Sequence, residues 1–317
     1  MQYRKLGRSG LKVSTISLGS WITFGGQIDL DATEACMTAA YDAGINFFDG
    51  AEVYAGGKAE QAMGEVFKRT GWARDTLVVS TKIFGGGQAP TQQGTSRKHL
   101  VEGVDKALSR MNLDYVDLCF CHRPDPDTPL EEVVHAMNEM ILRGKVFYWG
   151  TSNFSAADLF EMYRIAERDR LVGPTMEQSV HNMHVRRRVD GELVPVFEKH
   201  GIGTTIYSPL CQGVLTGKYS EGIPEGSRAA YSENMRNAVT EERVEKTKQL
   251  MPIAEGLGVS MAQLALAWTL KNPNVSTAII GATRPEQVED NAGAAEAVEK
   301  LTDEVMAEIE AILDNKP

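Results

Sequence analysis

The chain has 317 residues, with 33 Lys and Arg against 43 Asp and Glu, and a net charge of -10 at pH 7. That balance argues against nucleic acid or an anionic membrane surface as a partner, and no run of about 18 apolar residues offers membrane insertion. Length admits two average domains or one α/β barrel. The four cysteines, Cys36, Cys119, Cys121 and Cys211, lack a repeated CxxC spacing and read as reduced, buried thiols.

The opening MQYRKLGRSG has no apolar stretch of signal-peptide length, so a cytoplasmic location is expected. YRKLGRSGLKVS, with a turn at Gly7 to Gly10, reads as a small hairpin plugging one end of a barrel. Short apolar runs then recur in order: SLG (17–19), INFF (45–48), LVVST (77–81), VDLCFC (116–121), KVFYWG (145–150), TMEQ (175–178), GTTIY (203–207) and TAIIG (277–281). Segments of helical period separate them. Gly44 is expected to close a helix that begins near Asp31. In RKHLVEGVDKALSRM, Leu100, Val104, Ala107, Leu108 and Met111 share one face, which predicts a helix packed on apolar neighbours. Thr128-Pro129-Leu130-Glu131 and Ser155-Ala156-Ala157-Asp158 read as capped helix starts.

Strands apolar on both faces, alternating with helices, imply a parallel sheet covered on both sides. Eight such units predict an α/β fold, a (β/α)8 TIM barrel, with residues 1–317 forming one domain. An open doubly wound sheet is the rival, but its GxGxxG fingerprint is missing. The long interval from Tyr207 to Gly281 holds CQGVLTGKYSEGIPEGSRAAY and an amphipathic segment from about Thr240 to Leu257. It reads as an insertion after strand seven that covers a ligand.

In a barrel the active site is built from the C-terminal strand ends. The residues that follow the runs are Gly19-Ser20-Trp21, Asp49, Lys82, His122, Ser152-Asn153, Gln178, Tyr207-Ser208 and Gly281 to Thr283. Asp49, Lys82 and His122 beside the nearby phenol of Tyr54 form a set suited to proton transfer. An ammonium at Lys82 is expected to favour the phenolate and lower the Tyr54 pKa, with Asp49 holding Lys82. His122 can orient a substrate oxygen, and either His122 or Tyr54 can supply a proton to a developing alkoxide. Trp21 and Phe84, after strands one and three, are candidates with Tyr54 and His122 for the substrate pocket.

Other motifs carry blander readings. Alternation along a strand puts Cys119 and Cys121 opposite Phe120 and His122, which spoils a shared metal site, and His181 and His184 in HNMH lack further ligands. No metal is expected. GVLTGKY (213–219) lacks the spacing and the Ser or Thr of a phosphate loop. Gly85-Gly86-Gly87 reads as a flexible rim, and Arg186-Arg187-Arg188 as a solvated face. Thr283-Arg284-Pro285-Glu286 reads as a helix start whose free N–H groups, with Lys218 and Arg228, can hold a phosphate.

The ordered set FFDGAEVY, VVSTK, CHRPDP, WGTSN, EQ, YSPL, GKY and GATRPEQVEDN resembles the aldo-keto reductases. Its wording is most similar to the branch of potassium-channel beta subunits and their bacterial relatives. The resemblance implies a (β/α)8 barrel that binds NADPH without a Rossmann domain and reduces aldehydes or ketones. It implies a catalytic set of Asp49, Tyr54, Lys82 and His122, with Tyr54 as proton donor. Ser152, Asn153 and Gln178 are implied at the nicotinamide amide, with Tyr207 stacked on the ring. Ser208, Pro209, Leu210, Gly213 and Lys218 are implied along the pyrophosphate and ribose, and Arg228, Thr283, Gln287, Asp290 and Asn291 near the adenine. Ser20, Trp21, Gln27, Asp49, Gln212 and Gly281 complete the implied cofactor set. The branch also suggests a homo-oligomer, a tetramer or larger. Animal channel subunits resembling this chain carry Asn where it has His122, and the chain begins directly at the hairpin. Both features favour a working reductase with a small carbonyl substrate over an NADPH-binding regulatory subunit.

Overall fold

Parallel strands closed on themselves require every edge to be paired and both faces to be covered, and the computed structural model meets both conditions. It describes residues 1–317 apart from the side chain of Asn234. An antiparallel hairpin, β1 (Tyr3–Lys5) and β2 (Lys12–Ser14), precedes the barrel. The barrel strands are β3 (Ile16–Gly19), β4 (Phe47–Asp49), β5 (Val78–Ile83), β6 (Val116–Cys121), β7 (Val146–Ser152), β8 (Met176–Val180), β9 (Gly203–Tyr207) and β10 (Val275–Ile280). They pair in chain order, all parallel, and β10 returns to β3. The strand limits differ from the apolar runs by a few residues: β7 extends to Ser152, and Gly281 falls beyond β10.

Alternation sorts the side chains into two layers. Phe47, Val78, Leu118, Phe120 and Met176 point into the barrel and cluster with Leu6 and Val13 of the hairpin segment, which plugs that end. Phe48, Val79, Cys119 and Cys121 point outward, into the core shared with the surrounding helices. All four cysteines are free and buried. The helix Leu30–Asp42 is capped by Asp29 and followed by Gly44 at φ 83°, where a glycine is required. Ser155 and Asp158 form a reciprocal capping box for Ala156–Asp169.

Thr128 departs from its expected capping role. Its hydroxyl donates to Asp125 (2.7 Å), and the helix Leu130–Leu142 starts after Pro129 with no side-chain cap. The interval between β9 and β10 contains more than an insertion. Glu241–Gly256 is the amphipathic segment, and Met261–Lys271 is the crossover helix of the unit. Only Gln263 and Lys271 of the latter escape burial, so it has no polar face and no helical period to read. A separate core of Val214, Leu215, Tyr219, Leu250, Leu264 and Trp268 ties this region to the C-terminal helix Asp303–Leu313.

The arginine run is also not a solvated face. Arg186 is buried, pairs with Asp190 and Glu310, and lies over the Trp268 ring, while Arg188 pairs with fully buried Glu177 (3.0 Å). Only Arg187 of the three is exposed. HNMH forms a tight turn closed by Asn182 and Val185, and among the described residues no His, Cys, Asp or Glu cluster could hold a metal. No single described helix is long and apolar enough to cross a membrane.

Candidate active site

A residue at the C-terminal end of a parallel strand with an inward side chain must share one small volume with its counterparts on the other strands. Asp49 closes β4, Lys82 lies near the end of β5, and His122 follows β6 with the same parity as Leu118 and Phe120. Ser152 ends β7 and pairs in register with Gln178 of β8, and Tyr207 ends β9. Tyr54 arrives differently, from a turn after β4 in which Ala55 (φ 49°), Gly56 (φ 63°) and Gly57 (φ 88°) are all left-handed.

Lys82 is fully buried, and its Nζ donates to Asp49 Oδ2 (2.6 Å), to the Gly50 carbonyl (2.8 Å) and to Tyr54 Oη (3.2 Å). Asp49 Oδ1 accepts from Ser80 Oγ (2.8 Å) and Gln178 Nε2 (3.1 Å). The carboxylate is therefore held from three sides. The His122 ring meets Tyr54 edge-on, with centroids 5.8 Å apart.

Burial disfavours the Lys82 charge, but Asp49 and Tyr54 outweigh it and raise the pKa, so Lys82 remains an ammonium. The expectation for Tyr54 is overturned: burial raises its pKa more than Lys82 lowers it, and the phenol stays protonated at neutral pH. Burial, reinforced by the charges of Lys82 and Arg123, depresses His122 to about 3. His122 is therefore a neutral imidazole at physiological pH.

These groups open onto a cavity of about 700 Å³, within the usual range for a ligand site. Trp21, Phe84, Gly85 and Val53 line the end beside Tyr54 and His122. Ser208, Pro209, Leu210, Gln212, Gly213 and Lys218 extend the lining along the loop after β9. Arg228, Gly281, Gln287, Asp290 and Asn291 carry it to the far end. Ser208, Cys211 and Gln212 hold positive φ values of 51°, 48° and 55°, strain of the kind that accumulates where backbone is shaped around a ligand.

Not every expected residue reaches the cavity. The Ser20 hydroxyl turns back to the Asp49 carbonyl (3.0 Å), and Gln27 borders a separate groove with Gln61 and Glu65. Thr283 gives its amide and hydroxyl to Gln287 Oε1 (2.8 and 3.2 Å), so it is not a helix cap; Arg284 occupies that position before the helix Pro285–Ala292. Asn153 stands behind the wall, donating to Ser152 Oγ (3.0 Å) and accepting from Tyr207 Oη (3.1 Å). Lining residues that the sequence reading did not single out include Arg123, Thr216, Ile279, Ile280 and Ser260 to Ala262. Arg123 was reachable through its adjacency to His122, whereas Ser260 to Ala262 start a helix remote in sequence from the other strand ends.

The donor set fits an extended dinucleotide phosphate. At one end, Ser152 Oγ accepts from Asn153 and keeps its hydrogen to donate. Gln178 Nε2 donates to Asp49 and Thr205, which leaves its oxygen to accept. One donor beside one acceptor complements a carboxamide. At the other end, Lys218 and Arg228 have no carboxylate partner among the described residues. Burial lowers the pKa of each, and Lys218 is lowered further by Arg228 and Arg284. Clustered cations without counter-charges await an anion. A Cβ on Gly281 would lie 2.0 Å from Arg228 Nη2, and one on Gly213 2.7 Å from Lys218 Cε, so both glycines admit those side chains to the cavity wall.

Comparison with known proteins agrees with this architecture. Residues 15–314 match the aldo/keto reductase family. The whole chain is 50% identical to a rice (Oryza sativa subsp. japonica) protein described as a probable voltage-gated potassium channel subunit beta, over 98% of that protein. It is 49% identical, with the same coverage, to an Arabidopsis thaliana protein of the same description.

Proposed function

Because this chain belongs to the aldo/keto reductase family, we propose that it is an NADPH-dependent reductase that converts aldehydes or ketones to alcohols, with Tyr54 as the general acid. The observation that carries this reading is the buried Lys82 ammonium, bonded at once to Asp49 and to Tyr54 Oη, beneath a cavity whose far end is cationic. When bound, the reduced nicotinamide supplies the hydride to the carbonyl carbon. Tyr54, still protonated, gives its proton to the carbonyl oxygen, and Lys82 stabilises the phenolate left behind. Asp49 keeps Lys82 in position. Neutral His122 serves as a hydrogen-bonding group for the oxygen and not as the acid, because so little of it is protonated at pH 7. Trp21 and Phe84 form the apolar wall for the substrate.

NADPH oxidation followed at 340 nm with a panel of aromatic and small aliphatic aldehydes tests the activity. A second reading comes from the names of the rice and Arabidopsis relatives: an NADPH-binding subunit of a membrane channel in which turnover is incidental. Turnover of about one per second or faster favours the enzyme. Tight NADPH binding with no measurable reduction across the panel favours the subunit.

Two further results are expected. Arg228→Ala weakens NADPH by about 10- to 100-fold, the value of a charge-assisted contact of about 1.5–3 kcal/mol, while NADH affinity changes little. Equal losses for both dinucleotides, measured by fluorescence titration, would show that Arg228 does not hold the 2′-phosphate that distinguishes NADPH from NADH. The pH profile of kcat/KM carries no imidazole limb between pH 5 and 8, because His122 is already neutral throughout that window. A limb near pH 6.5 that disappears in His122→Asn would contradict it.

A further inference from the structure

The cavity lining contains four arginine and lysine residues, Arg123, Lys218, Arg228 and Arg284, and they are not evenly spread. Arg228 and Arg284 both lie close enough to Lys218 for their charges to act on it at one end. Arg123 stands apart from them, close enough to Tyr54 and His122 for its charge to act on both.

Arg123 differs from the structural arginines of this barrel. Arg74 pairs with Asp117, Arg110 with Glu60 and Arg188 with Glu177, whereas Arg123 has no such partner among the described residues. The carboxylate two positions along, Asp125, is already engaged. Its Oδ2 accepts from the Thr95 amide (2.8 Å) and the Thr128 hydroxyl (2.7 Å), and its Oδ1 accepts from the Asp127 amide (3.1 Å). Those bonds fix the turn that follows Arg123. Within the lining the carboxylates are Asp49, spent on Lys82, and Asp290, bonded to Ser260 and Gln263 at the cationic end. Arg123 is itself exposed at the cavity rim, where water reaches it, and no carboxylate of the lining is free to pair with it. The same lining includes the apolar side chains of Trp21, Val53 and Phe84, with Trp21 39% and Val53 45% exposed.

An apolar wall with one uncompensated guanidinium at its edge complements a molecule with an apolar body and a single negative group. We propose that the substrate of this chain is a carbonyl compound bearing a carboxylate, which Arg123 holds while the carbonyl oxygen meets Tyr54 and His122. The assignment rests on the reductase reading and adds the substrate class to it. The reaction balances as before: hydride to the carbonyl carbon, the Tyr54 proton to the oxygen, and the carboxylate unchanged.

The test uses two aldehydes of nearly the same shape, 4-carboxybenzaldehyde and its neutral methyl ester, methyl 4-formylbenzoate. The intrinsic reactivities cancel when the acid-to-ester ratio of kcat/KM is compared between proteins. Arg123→Gln is expected to lower that ratio by about tenfold, mostly through KM, as loss of a charge-assisted Arg–carboxylate contact requires. Arg123→Lys retains part of it, and added salt shrinks the wild-type ratio. The same ratio in wild type and Arg123→Gln overturns the proposal. Should neither aldehyde consume NADPH, the reductase reading is what fails, and the role of Arg123 is then judged from binding. Benzoate should perturb the fluorescence of bound NADPH about tenfold more weakly, by Kd, in Arg123→Gln. An unchanged benzoate Kd overturns the carboxylate site.

Discussion

Tyr54→Phe is expected to reduce kcat for aldehyde reduction by about 10²- to 10⁴-fold, the contribution of a positioned general acid, while NADPH binding stays within a few-fold of wild type. The substitution removes one oxygen and keeps the ring, so the edge-on contact with His122 is preserved. Lys82 loses its 3.2 Å contact to the phenol but keeps Asp49 and the Gly50 carbonyl, so its charge remains compensated. The loss should therefore fall on chemistry and not on folding or cofactor affinity. Single-turnover absorbance at 340 nm, paired with fluorescence titration of NADPH, separates the two. Wild-type turnover in the variant would mean that the proton comes from elsewhere.

The second large effect concerns stability. Asp49→Leu leaves the Lys82 ammonium fully buried with only the Gly50 carbonyl and Tyr54 Oη near it, and strips Ser80 and Gln178 of an acceptor. Removing one partner of a buried ion pair costs about 3–5 kcal/mol, which urea unfolding at pH 7 would register as a lower midpoint. Adding Lys82→Met to make the double variant should recover most of the loss, because the stranded charge goes with it. The double variant should nonetheless be inactive. Additive destabilisation by the two changes would show that desolvation of Lys82 is not the dominant cost. On this account the ion pair is kept for proton transfer at Tyr54, at a site where a pair of apolar residues would serve the fold equally well.

Much of the architecture was legible because it depends on periods. Alternation in VDLCFC separates Cys119 and Cys121 from Phe120 and His122, and the structure puts the first pair in the outer core and Phe120 inside the barrel. Helix ends were legible where a short polar side chain caps its own backbone, as at Ser155, and misread at Thr128, where a competing acceptor lay three residues earlier in Asp125. The helix Met261–Lys271 was missed for the opposite reason. Burial on every side erases the polar face that a periodic reading needs.

The sequence by itself determined the fold and the residue types available at the strand ends, because a parallel barrel follows from eight apolar runs separated by amphipathic helices, and strand parity is a local property. The tertiary structure alone decided the charge states and the company each residue keeps. Tyr54 stays protonated and His122 neutral because burial, a property of the assembled cavity, outweighs the ammonium beside the phenol. Arg186 is buried against Glu310, Arg188 is partly buried against Glu177, and Arg123 is exposed at the cavity rim with no carboxylate partner among the described residues, although all three arginines look alike in the chain. Which carboxylate meets which cation depends on contacts between residues far apart in sequence, and no local pattern encodes those.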